Sequence, residues 1–421
     1  MTGISALVAV VFLYALVSRR LERTSITAAM VFVAAGVLLG PSALGVARFE
    51  LEGEAMRLGA EIALVLVLFT DATRVGIPVL VERPRLPARL LGLGMPLTIV
   101  LGTIVAVSLL PGFSFWEAAI VGTVLAPTDA ALGQAVVSNR RVPTAVRQAL
   151  NVEAGLNDGL SVPFLALFLG LAGFEAGFSG PWYGFALAQI GLGALAGAGV
   201  GAAGALLVRW AAGMNFMTDA FERLAVLAIA VAAWGVAGLI GGNGFIAAFV
   251  GGLCAGPLLG GMWDRILIFT EAEGQLLNLT VFFVFGSAAI PLLSGAGWQV
   301  LLYALLSLTA IRMLPVAVSL WGIGMRGDSV LFLGWFGPRG LASIILALLV
   351  VESTAEAAVG TEILQVVAVT VLMSVLLHGL TAAPLSALYS RRSDDMHPGM
   401  PEKKPATEVP SRMSGAGEER P

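Results

Sequence analysis

Four ionisable side chains stand in apolar segments, where a charge is expensive. Asp129 lies in GTVLAPTDAALGQAVV, Glu153 and Asp158 in ALNVEAGLNDGLSVPF, and Arg339 in LFLGWFGPRGLASIILALL. At the centre of a membrane-spanning helix such a residue costs at least ~2.5–3.5 kcal/mol on insertion scales, so a functional role is the first hypothesis. Two carboxylates in one poorly solvated cavity both favour retaining a proton, through desolvation and mutual repulsion. Their oxygens also suit hard cations such as Na+, and the backbone carbonyl of Thr128 at a broken helix adds a further ligand. The expected chemistry is competition between a proton and a monovalent cation for Asp129 and Asp158.

The neighbouring residues have supporting roles. Glu153 and Asn157 stack at i and i+4 on a helix, and Asp158 points roughly 140° away from Glu153. Glu153 and Asn157 are thus expected to share one partner while Asp158 faces the cavity. Arg339 needs an acid at its own depth, and Glu153 is the expected structural partner. A guanidinium does not release its proton, so Arg339 holds the site and does not carry the ion. The plainer alternatives are an Asp129 that caps the restart of a kinked helix and an Asp158 in a structural ion pair. Asp71, three residues before Arg74, is either an accessory ligand or half of a surface pair.

These residues need helices to hold them. Runs of about 20 apolar residues, each long enough for a bilayer core, begin near residues 3, 25, 57, 88, 115, 147, 183, 218, 243, 274, 297, 328 and 361. The ninth is short and the tenth has an irregular approach. Arginines crowd the odd connections (Arg19, Arg20, Arg23; Arg74, Arg83, Arg85, Arg89; Arg140, Arg141, Arg147; Arg209, Arg223, Arg265, Arg326). Only Arg48 and Arg57 fall on even ones, beside Glu50, Glu52 and Glu54. Positive charge marks the cytoplasmic side, which places the N-terminus outside and the C-terminus inside. The start, MTGISALVAV, reads as an uncleaved first helix. From Ser390 the chain turns polar and proline-bearing, which reads as a disordered cytoplasmic tail over 390–421.

Composition excludes most other classes. Hydrophobic residues make up 58% of the 421 and charged ones 12%, against roughly a quarter charged in a soluble domain. The fold class is an all-α polytopic membrane protein of about 13 transmembrane helices. Fifty-two glycines and four tyrosines argue against an outer-membrane barrel with aromatic girdles. One cysteine, Cys254, precludes an internal disulfide, and a net charge of −3 gives no sign of a nucleic-acid partner. No phosphate loop, metalloenzyme motif or nucleophile constellation suggests an enzyme or a cofactor.

Pro127 and Pro338 interrupt the fifth and twelfth spans, each the middle member of a triplet, and the two triplets run in opposite directions. Inverted repeats with paired broken helices point to a secondary transporter whose site lies at the bilayer centre. At each break a half-helix N-terminus brings partial positive charge and a C-terminus partial negative charge, which Asp129 and Arg339 respectively can offset. Other features have plainer uses. His378 packs or bonds to a neighbouring helix. Gly193, Gly197 and Gly201 form a small-residue ridge for use within the subunit or between copies. Glu271 and Glu273 are interfacial, and Arg312 snorkels or pairs structurally.

Read together, SITAAMVFVAAGVLLGP, LFTDATRV, APTDA, NVEAGLNDG, NGFIAAFVGGLCAG, FVFGSAAI, GWFGPRG and LLHGLTAAPL resemble the monovalent cation:proton antiporter-1 branch of the sodium/proton antiporter superfamily. The resemblance covers the chain to about residue 388. It implies two crossed discontinuous helices in a core domain, from about 57–172 and 274–388, beside N-terminal and intervening scaffold helices that dimerise. It implies exchange of Na+, K+ or Li+ for H+ in the cell membrane, and a role in pH homeostasis. The sequence departs from the family at two points. Pro127 precedes Thr128 and Asp129 where the family has Thr-Asp-Pro, and Ala154 stands where a hydroxyl often follows the glutamate. Asn157 before Asp158 resembles the electroneutral type. Ala154 keeps K+/H+ exchange as the alternative within the class, and a cation channel or ion-gated regulatory protein stands outside it.

Overall fold

The computed structural model describes residues 2–21, 24–47, 54–75, 85–129, 132–137, 139–173, 182–260, 263–354, 357–397 and 399–403. Arg23, Arg48, Glu50, Glu52, Arg83 and the chain after Lys403 lie outside the described residues, as do the side chains of Glu54, Arg57, Arg265, Glu271 and Glu273.

A helix occupies each of the thirteen expected spans. In chain order they are α1 (Thr2–Leu21), α2 (Ala28–Leu39), α3 (Glu54–Val75), α4 (Arg85–Leu109), α5 (Phe115–Val124) with α6 (Gln134–Val137), α7 (Thr144–Ala172) and α8 (Trp182–Gly213). Then follow α9 (Asp219–Leu239), α10 (Gly244–Leu259), α11 (Trp263–Leu293), α12 (Trp298–Ser319), α13 (Gly327–Trp335) with α14 (Leu341–Ser353), and α15 (Ala357–Asp394). Among the described residues eight helices are long and apolar enough to cross a membrane. The approach to the tenth span, expected to be irregular, is helical from Trp263.

Two spans are broken by length alone. The 10 residues of α5 and the 9 of α13 each rise only about 15 Å at 1.5 Å per residue, half the hydrocarbon thickness. An interruption that the sequence did not announce divides α12 at Thr309, whose backbone sits at φ −116°, ψ −96°.

The helices pack in two groups. One contains α1–α3 and α8–α11, with α8 and α3 against α10 and α11 against α2. The other contains α4–α7 and α12–α15, with α4 on α5, α5 on α7, and α14 on α15. The glycine ridge of α8 serves within the subunit. A methyl on Gly193 would run into the backbone of Asn243, the cap of α10, and one on Gly197 or Gly201 into that of Ala247 or Gly251 on α10. Such contact lets two backbones approach without the help of solvent exclusion.

The polar turn in composition at Ser390 does not end the helix. α15 continues through Asp394, Met396 is buried, and a 3-10 turn at Pro401–Lys403 packs on α7. Glu402 is fully buried and accepts the Arg326 N–H (2.8 Å) at the N-terminus of α13. The described residues from 390 to Lys403 are therefore not the disordered tail expected there, because a capping carboxylate and two methionines, Met396 and Met400, anchor them.

Candidate functional site: two broken helices that cap each other

At each break proline supplies no N–H, so the ladder stops and helix ends lie open in a region without bulk water. The open groups are met crosswise. The Asp129 N–H donates to the Pro338 carbonyl (2.7 Å), and Asp129 Oδ2 accepts the Leu341 N–H (2.9 Å), the first of α14. In return the Arg339 guanidinium donates to the Ala126 carbonyl and to that of Pro127 (3.1 Å), past the end of α5. Ser343 Oγ donates to the Val124 carbonyl (2.7 Å). A carboxylate thus meets a helix N-terminus and a guanidinium a C-terminus, the favourable sense for both dipoles. The signs match the sequence expectation, but each charge serves the other span's break. Asp129 does cap a helix, though not the restart of its own.

The two glycines of the GPRG segment follow from this crossing. A methyl at Gly340 would overlap the Asp129 carboxylate, and one at Gly337 would overlap the Arg312 side chain.

The expected pair of Glu153 with Arg339 does not form. Glu153 binds Arg312 through two hydrogen bonds, 2.5 Å and 2.8 Å, with both side chains 2% exposed. Arg339 has its cationic edge on the Ala126 and Pro127 carbonyls past the end of α5. The interruption at Thr309 re-aims the following turn of α12, and Gly337 leaves room for the guanidinium. Arg312 therefore pairs structurally and does not snorkel. Glu153 and Asn157 do not share a partner either. Asn157 Nδ2 donates to Thr128 Oγ1 (2.7 Å), tying α7 to the first break.

A narrow cavity reaches this junction, lined by Thr128, Asp129, Val137, Leu150, Ala154 and Pro338 among others. Asp158 is buried on α7, one turn beyond Ala154 and so on the same helical face. It is not among the cavity's lining residues. Gly159 beside it packs directly on the Phe249 ring of α10. Asp71 is buried on α3, away from the surface expected of a simple exposed pair, and also outside that lining. The structure thus joins Pro127, Thr128, Asp129, Asn157, Pro338 and Arg339 in one connected set, with Glu153 held beside it by Arg312.

Three more residues complete the junction, and sequence reasoning passed over the two serines among them. Ser343 caps α5, Ser374 Oγ accepts the Arg339 N–H (2.7 Å), and His378 bonds to the Trp335 carbonyl through Nε2 (2.9 Å). The last fits the expectation of a bond to a neighbouring helix, while a serine in an apolar helix gives no signal of its own.

A family model described as sodium/hydrogen exchanger, transmembrane, matches residues 6–388. The K(+)/H(+) antiporter NhaP of Alkalimonas amylolytica is 27% identical over 356 residues, covering 81% of this chain and 59% of that protein. The Na(+)/H(+) antiporter 2 of Zygosaccharomyces rouxii is 26% identical over 262 residues, 57% of this chain and 32% of that protein. The chain therefore spans about three-fifths or less of these relatives. The solved sodium proton antiporter MjNhaP1 of Methanocaldococcus jannaschii superimposes with a TM-score of 0.74 at 22% identity, covering 92% of this chain and 98% of that one. That likeness shows a shared fold.

Proposed function

Because the chain belongs to the sodium/hydrogen exchanger family, we propose that it is a secondary antiporter exchanging a monovalent cation, Na+ foremost, for H+. The observation that carries this reading is the cavity at the crossed breaks, where Thr128 and Asp129 meet Ala154 and Asp158 follows one turn along α7. Asp129 is held as an acceptor by Leu341 N–H, so Asp158 is the group that trades its proton for the cation. Desolvation raises the free energy of a bare carboxylate, which favours its holding either a proton or a cation. Competition for the same oxygens couples the two fluxes, and alternating access carries whichever is bound.

The moving body in this proposal is α4–α7 with α12–α15. The core edges expected at residues 57 and 274 would include α3 and α11, but these helices pack chiefly on α10 and α2, which favours edges at α4 and α12. The arginine pattern supports an outside N-terminus and a cytoplasmic C-terminus in the cell membrane. Exposed apolar side chains on α1 and α8, among them Ile4, Phe12, Leu195 and Trp210, offer the scaffold a surface for a second copy. K+/H+ exchange is the second reading, favoured by Ala154 in place of a hydroxyl and by the K+/H+ antiporter among the relatives.

Everted vesicles with a pH-sensitive dye test the proposal. Added Na+, K+ or Li+ should relieve an acid interior, and Asp158→Asn should abolish the response while the protein remains in the membrane. A full response from Asp158→Asn would refute the assignment, and the ranking of the three cations decides between the two readings.

A further inference from the structure

Asp129 serves only part of the second break. The carbonyl of Trp335, at the end of α13, accepts the Gly337 N–H (2.8 Å) and keeps a second lone pair, and the N–H of Arg339, just before α14, also needs a partner. Both find one on α15. His378 Nε2 lies 2.9 Å from the Trp335 carbonyl, and Ser374 Oγ accepts the Arg339 N–H at 2.7 Å. The two α15 side chains also meet, with Ser374 Oγ 3.2 Å from His378 Nδ1. All of these groups are buried, with His378 1% and Ser374 0% exposed.

The donor directions follow from chemistry. A carbonyl only accepts, so Nε2 carries a hydrogen towards Trp335. A backbone N–H only donates, so the Ser374 hydroxyl accepts from Arg339 and, in the neutral ring with its hydrogen on Nε2, can give its own hydrogen to Nδ1, which also lies 3.1 Å from the Ser374 carbonyl. The chain of bonds runs Arg339 N–H to Ser374 to His378 to the Trp335 carbonyl. Trp335 is fixed twice more, since its indole Nε1 donates to Thr381 Oγ1 (3.0 Å) and its ring packs on His378 with centroids 5.0 Å apart.

We propose that Ser374 and His378 are positioning residues, a clamp from α15 that sets the opening of the second break and thereby the affinity of the exchange site. Ser374 and His378 stand at i and i+4, so one turn of α15 fixes the separation of the two helix ends across Phe336, Gly337 and Pro338. The Pro338 carbonyl receives Asp129 N–H, and the Arg339 side chain holds the carbonyls of Ala126 and Pro127. Any change in the opening therefore reaches Thr128 and Asp129, although neither clamp residue lines the cavity. The affinity part of the proposal rests on the antiport reading, whereas the clamp itself does not.

The test uses the full chain in proteoliposomes as wild type, His378→Leu, His378→Gln and Ser374→Ala. Half-saturating cation and maximal rate are read separately, with hydrogen–deuterium exchange over residues 335–341. His378→Leu and Ser374→Ala should each raise half-saturation roughly tenfold, the cost of one lost buried hydrogen bond, and speed amide exchange in that segment above the rest. Glutamine can donate to the Trp335 carbonyl and accept from Ser374, so His378→Gln should restore both readouts. Unchanged half-saturation in His378→Leu and Ser374→Ala, or a glutamine variant no better than leucine, would overturn the proposal. If wild type exchanges no cation at all, the antiport reading fails. Amide exchange over 335–341 then decides the clamp, faster exchange upholding it and unchanged exchange refuting it.

Discussion

The Glu153–Arg312 pair can be distinguished from the pairing that depth alone suggests. Both side chains are 2% exposed and joined by two hydrogen bonds of 2.5 and 2.8 Å. Arg312→Met leaves a buried carboxylate without its bidentate partner, which costs about 3–5 kcal/mol. Glu153→Gln leaves a buried guanidinium and should cost a similar amount. The double variant removes both charges and should recover most of the loss, because an apolar replacement of a buried pair is often close to neutral. The coupling energy between positions 153 and 312 should therefore exceed about 2 kcal/mol. The same cycle with Arg339→Met should give a much smaller coupling, since that guanidinium is bonded to the carbonyls of Ala126 and Pro127. Reversible unfolding in mixed detergent micelles, followed by tryptophan fluorescence, measures all six proteins on one scale. A coupling under about 0.5 kcal/mol at 153–312, or a larger one at 153–339, would refute the assignment.

Other substitutions probe the rest of the architecture. Gly340→Ala puts a methyl into the Asp129 carboxylate, so dye-monitored exchange should vanish while membrane insertion, read by blotting, is kept. Glu402→Ala removes the cap on α13 and should lower unfolding stability by ~1–2 kcal/mol, measured on the same micelle scale. On the proposed antiport reading, Asn157 is neutral beside Asp158 and one cation replaces one proton, so an imposed potential at fixed ion gradients should leave the exchange rate unchanged in proteoliposomes.

Both breaks were legible in the sequence because proline in an apolar run has a local consequence, a missing donor and a clash with the preceding turn. Buried charge was legible for a similar reason, since Asp129, Asp158 and Arg339 are costly wherever they sit in a span. Partnership was not. Depth placed Glu153 level with Arg339, but pairing depends on helix rotation, and the interruption at Thr309 re-aims Arg312 with no proline nearer than Pro315. Gly337 and Gly340 mark a break to any reader, yet their reason lies in Arg312 and Asp129, on other spans. The anchored stretch from Ser390 to Lys403 was hidden by its polar composition, because one carboxylate at a helix N-terminus outweighs a run of disorder-prone residues around it.

Crosswise capping has a consequence for how a site of this kind can be built. If Asp129 capped its own restarting helix, and Arg339 its own ending one, each span would be satisfied alone and the two could drift apart. Here each break leaves polar ends that only the other can satisfy, so separating the spans would expose Leu341 N–H and the carbonyls of Ala126 and Pro127 to a medium with no donor or acceptor. Each such group costs several kcal/mol in hydrocarbon, far more than the ~0.6 kcal/mol of thermal energy available to part them. The junction is thus held rigid by what each half lacks. Within the proposed exchange cycle, the consequence is that α5 and α14 travel as one body, and access must change by moving that body against α3 and α10 and not by opening the breaks themselves.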